Sequence, residues 1–91
     1  MKTVFKFSLP VVDHALVQMP RGAQILTVDQ QYNQAYIWAL VDNAEPYVNH
    51  KFTVHGTGHP ANDVEGLAFV GSLILMEGAF VGHVWDGGEL P

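Results

Sequence analysis

Two histidines flank a glycine-rich turn at positions 55 to 60, His-Gly-Thr-Gly-His-Pro, and no other stretch of the 91 residues concentrates so much usable chemistry. Glycine admits positive φ and lets a ligand come close to the main chain, so Gly56, Thr57 and Gly58 could aim successive N–H groups at an anion. His55 and His59 would add charge that switches near neutral pH. Arg21 is the leading cation to clamp a phosphate, and Trp85, near the end of the last apolar run, is the leading aromatic for a ligand or interface contact. His55, Gly56, Thr57, Gly58, His59, Arg21 and Trp85 therefore form the candidate site, and the ligand they imply is a small anion of nucleotide type.

Three other chemistries compete for the same residues. A zinc ion would need a third ligand from His83, Asp63, His50 or Glu65, and the spacing matches no recognised zinc motif, so no metal and no cofactor are expected. A phosphodiesterase could use His55, His59 or His83 as acid and base. The cationic clamp that should stabilise the developing phosphorane charge is thin, so no catalytic residue is assigned and binding without turnover ranks ahead of hydrolysis. The plainest reading makes the glycines a tight turn and the histidines backbone caps. Function would then pass to an exposed sheet face or edge that binds a protein as an inhibitor or adaptor. Asp63 and Glu65 read as a solvated loop, Asp13-His14 as a turn, and Asp42-Asn43 as an Asx-type turn.

Charge narrows the partners. Four Lys and Arg against nine Asp and Glu leave a net charge of −5, and Lys2, Lys6, Arg21 and Lys51 do not cluster in sequence. Long nucleic acid is disfavoured, because it needs many phosphate-neutralising cations. The absence of cysteine removes disulfides, thiolate zinc sites and cysteine nucleophiles, and fits a reducing cytosol. No apolar run approaches the roughly 18 residues of a membrane span, and the first residues alternate instead of forming a signal-like apolar block. The expectation is a cytoplasmic protein without a membrane partner.

Period-two alternation places these residues on strands. Phe5, Phe7 and Leu9 share one face of an opening strand that Pro10 closes. Residues 15–19 suggest a short strand before the Pro20-Arg21-Gly22 turn. Residues 23–30 and 34–42 read as a hairpin. In its second run Ala35, Ile37, Ala39 and Val41 share one face, while Tyr36, Trp38 and Leu40 share the other. Both faces are apolar, as in a strand covered on both sides, and Trp38 reads as core. Residues 50–55 alternate with Phe52 and Val54 inward. Residues 67–76 and 79–85 make two further strands around a tight Glu77-Gly78 turn, with at most one helical turn near 61–66. The expected fold is all-β: a compact antiparallel sandwich or small barrel of six to seven strands, as a single domain over 1–86 with a flexible tail at 87–91. With 48% hydrophobic and 14% charged residues, the chain also predicts a homo-oligomer, most simply a symmetric dimer.

IWALVD at 37–42, HGTGHP at 55–60, FVGSLIL at 69–75 and GAFVGHVWD at 78–86, opened by MKTVFKF and MPRGAQIL, resemble a family of small proteins of unknown function found in bacteriophages, prophages and their bacterial hosts. The resemblance spans nearly the whole chain, with Gly-Thr-Gly-His-Pro as its most specific element. Glu45 to Asn49 and the Gly-Gly-Glu-Leu-Pro tail match it least. It implies a context: an accessory protein that binds a small signalling molecule or a host protein and so interferes with a host signal.

Overall fold

Alternating side chains become seven strands: β1 (Lys2–Ser8), β2 (His14–Pro20), β3 (Gln24–Gln31), β4 (Gln34–Asp42), β5 (Tyr47–Gly56), β6 (Ala68–Leu75) and β7 (Phe80–Glu89). The computed structural model describes all 91 residues. The strands form two antiparallel sheets, β1-β4-β3 and β2-β5-β7-β6, so the fold is a sandwich and not a closed barrel. Two short 3₁₀ turns, at Asn62–Val64 and Met76–Gly78, are the only helical elements. No helix is long and apolar enough to cross a membrane.

The core lies where the inner faces meet. Ile37 of β4, Phe52 of β5, Val84 of β7 and Met19 of β2 are fully enclosed, each contributing roughly 1.5–3 kcal/mol of burial. Gly71 of β6 marks a close approach between the sheets, since a Cβ there would sit 3.3 Å from Val28 Cγ1 of β3.

Turn chemistry follows residue type in one hairpin and departs from it in another. Tyr32 and Asn33 both take positive φ, 52° and 60°, between β3 and β4. That is the geometry of a two-residue turn matched to strand twist. Between β6 and β7 the left-handed pair is Met76 and Glu77, followed by Gly78 at φ 94°, so the turn begins one residue earlier than its Glu77-Gly78 composition suggests.

Three expectations change. Trp38 lies half-buried on the outer face of the three-stranded sheet, because its parity opposes that of buried Ile37 and Ala39. The second apolar face of β4 is thus uncovered within the chain. Residues 87–89, the start of the expected flexible tail, continue β7 along β5, with a bulge around Gly87 between the Lys51–Gly88 and Phe52–Asp86 pairs. The Leu90 N–H then donates to Asn49 O at 2.8 Å, and the Glu89 carboxylate accepts the Gly22 N–H.

Candidate functional site

Strand parity sends His55 and Thr53 of β5 to the outer face of the four-stranded sheet, and register lines them up with β7: His55 opposite His83, Thr53 opposite Trp85. β6 continues both rows, with Ser72 opposite His83 and Phe69 opposite Trp85. β2 adds His14 opposite Thr53. Three histidines, two aromatic rings and two hydroxyls thereby collect on one surface.

The contacts between them are specific. His83 is held at both ring nitrogens, by the Thr57 hydroxyl at 2.8 Å from Nε2 and the Ser72 hydroxyl at 2.6 Å from Nδ1. A neutral imidazole has one donor and one acceptor, so in that state one hydroxyl accepts while the other donates. Trp85 sits at the centre, its ring 5.3 Å from Phe69 edge to face, 6.0 Å from His55 and 6.5 Å from His83. Thr53 is only 1% exposed although its parity is outward, whereas Phe69 is 58% exposed at the rim.

Asp63, on the first 3₁₀ turn, ties the loop to this face. Its Oδ1 lies 2.6 Å from His55 Nε2, and its Oδ2 lies 3.5 Å from His14 Nε2. The hydrogen bond from His55 is the main cause of an Asp63 pKa below the ordinary 3.8, with partial desolvation opposing it and the charges of His55 and His14 adding to it.

The seven residues proposed from sequence do not form one site. His55 and Trp85 come together with the Thr57 hydroxyl near His83. His59 turns the other way: its ring covers Gly56 on the inward-facing side, where a Cβ on Gly56 would lie 3.3 Å from His59 Nδ1 and 3.6 Å from Phe80. The Thr57 N–H donates to Val81 O at 3.2 Å and the His59 N–H to Gly56 O at 3.1 Å, so these two loop donors are already used by the main chain, and Gly58 turns at φ 84°. Arg21 sits at the far end of the sandwich, where Pro20 pairs with Tyr47. Eight residues of β5 separate that end from His55, about 26 Å of strand.

The candidate site read from sequence leaves out Phe69, and it does not place Ser72 or His14 beside His55 and Trp85. Simple alternation puts Phe69 and Ser72 on opposite faces. A bulge between Phe69 and Gly71 shifts the register and brings them to the same one. The glycine at 71 is the one local signal that could have suggested it.

What this surface can do is stack and exchange hydrogen bonds. Neither Phe69 nor Trp85 lines any of the cavities of the molecule. The largest cavity, about 770 Å³, lies at the seam of β3 and β6, shares only Ser72 with this surface, and carries Asp29 and Glu77 but no cation, which suits it poorly to an anion. No group of three or more His, Asp or Glu side chains is arranged to hold a metal ion.

No curated protein and no solved structure matches the chain. The model of the Domain of unknown function (DUF7352) family does match, over residues 1–90, and the chain belongs to that family.

Proposed function

We propose that this domain is a non-catalytic binding module whose working surface is the outer face of the four-stranded sheet, and that its partner is a protein. The observation that carries this reading is the exposed Phe69 ring packed edge to face on half-buried Trp85, on a sheet face where neither ring lines a cavity, flanked by His55, His83 and His14. Small-molecule sites are usually concave and enclose most of their ligand, whereas protein interfaces are flat with aromatic anchors at the centre and a polar rim. Lys51 shares this face by parity, so an acidic protein turns one of its few cations toward the partner together with exposed His14 and half-buried His83, while His55 lies mostly beneath the Asp63 loop. The resemblance to bacteriophage and prophage proteins makes a bacterial host protein in the cytoplasm the natural partner class, and occupation of its surface the way a host signal is blocked.

A photo-crosslinking amino acid in place of Phe69 tests this in cells. A discrete adduct is expected at position 69, lost when Trp85→Ala is added, and absent when the crosslinker replaces His59. Equal adducts at 59 and 69, or none at 69, would remove the reading.

A second reading keeps a small anionic ring compound as the ligand, favoured by one observation: His83, clasped by Thr57 and Ser72, lies beside aromatic faces on which a base can stack. Saturable quenching of tryptophan fluorescence by one member of a nucleotide panel, weakened in His83→Ala, would favour it over the protein partner.

A further inference from the structure

The opposite face of the sandwich has its own pattern. β4 buries Ile37 and Ala39 inward and turns Tyr36, Trp38 and Leu40 outward, where no element of the chain covers them. Val4 of β1 and Leu26 of β3 flank them, 51% and 46% exposed. With Trp38, Thr27 and Asp29 they line an open groove of about 360 Å³. A bulge between Ile25 and Thr27 leaves Leu26 and Thr27 side by side on this face.

Charge on this face is divided by edge. β1 contributes Lys2 and Lys6, while β3 contributes Asp29 and neither β3 nor β4 holds a Lys or Arg. Asp42 at the end of β4 is already paired with the N-terminal amine at 3.0 Å. We propose that this face docks a second copy of the chain, related by a two-fold axis running along β4. That axis lays β1 of one copy over β3 of its partner, so the cationic edge meets the anionic edge twice. A two-fold axis across the strands would lay β1 on β1 and bring lysine against lysine. The charges therefore select the first arrangement, and symmetry makes every contact occur in duplicate.

Register supports the match. Lys6 is level with Trp38 and Asp29 with Tyr36, two residues along β4. That offset is about 7 Å, which a lysine side chain spans. Lys6 now donates to Gln31 Oε1 at 2.6 Å, with its ammonium 4.5 Å from the Tyr36 ring centre. On docking it exchanges a neutral amide for the carboxylate of the partner's Asp29, while Val4, Leu26 and Trp38 lose their exposure. The surface lies opposite the one assigned to the protein partner, so the two readings succeed or fail independently.

Light scattering of the intact chain at high micromolar concentration should give twice the 10.0 kDa chain mass. Val4→Glu with Leu26→Glu should return the mass to 10.0 kDa with an unchanged far-ultraviolet circular dichroism spectrum, because both side chains are already half in water. Lys6→Glu alone and Asp29→Lys alone should each weaken dimerisation about tenfold, and the two together should restore it. If the glutamate pair unfolds the chain, the charge swap still decides. A wild type that stays monomeric, a dimer that survives the glutamates in a folded chain, single reversals that the double does not rescue, or a dimer abolished by Phe69→Ala would each overturn the proposal.

Discussion

His50 and Asp86 meet inside the sandwich, the imidazole Nε2 2.5 Å from the carboxylate Oδ1, with the two side chains 5% and 22% exposed. The ring stacks on Phe52 at 4.8 Å, and the same Asp86 oxygen accepts the Gly88 N–H at 2.8 Å. One buried pair thus anchors the last residues of β7 to β5. Its other ring nitrogen, Nδ1, has no partner, so the imidazole depends on Asp86 for its only hydrogen bond.

Asp86→Ala should therefore destabilise the fold by about 2–4 kcal/mol, since it strands a buried imidazole. Urea unfolding should show a lower midpoint with an unchanged slope, and the amides of Gly88 and Leu90 should exchange faster than those of β4. Adding His50→Leu should recover part of the loss. A midpoint unmoved by Asp86→Ala would show that the pair does not hold the strand end.

Asp63 links loop to sheet through His55, and its depressed pKa sets a pH window. A carboxylate whose folded pKa lies below 3.8 contributes stability that is fully present above that value and disappears as pH falls through the folded pKa. The wild type should melt above Asp63→Ala at neutral pH, and the gap should close on acidification below 3.8. A gap that is constant down to pH 2 would mean that the His55 contact is not what Asp63 contributes.

Glycines 58 and 82 separate backbone cost from packing cost. Gly58 has φ 84° and open space around a built Cβ, so Gly58→Ala should cost about 1–2 kcal/mol through backbone strain alone. At Gly82 a Cβ would lie 2.8 Å from Phe80 Cε2. Gly82→Ala must displace the Phe80 ring, visible as shifted Phe80 and Val54 side-chain signals by nuclear magnetic resonance. Gly58→Ala should leave those signals in place.

On the outer sheet face, Phe69→Ala should cost about 1 kcal/mol of stability, the worth of its edge-to-face contact with Trp85. Affinity for the crosslinked partner should fall at least about thirtyfold, the scale of an anchor residue. His59→Ala should change that affinity by less than about twofold, because its ring packs over Gly56 away from the face. Surface plasmon resonance on the two variants checks the contrast, and equal losses would refute the assignment of the face.

Alternation alone carried much of the architecture. Phe5, Phe7 and Leu9 on one side of the first strand, Phe52 and Val54 on one side of the fifth, and the paired faces of β4 all stand as their parity requires, because a side-chain period of two needs no tertiary information. The Asx turn at Asp42 is equally local, with Oδ1 accepting the Ala44 N–H at 3.0 Å.

What the residues by themselves determined, then, is the class of fold, the inward set of side chains and the turns whose conformations glycine and Asx residues favour. Tertiary structure alone decided which strands are neighbours, and with that the site. The bulge beside Gly71 put Phe69 and Ser72 on one face, and the order β2-β5-β7-β6 brought His14, His55 and His83 together from three separate strands. The same topology sent Arg21 to the far end and turned His59 away from His55. Strand order and register depend on contacts between residues distant in the chain, summed over two whole sheets, and no local window of sequence contains that sum.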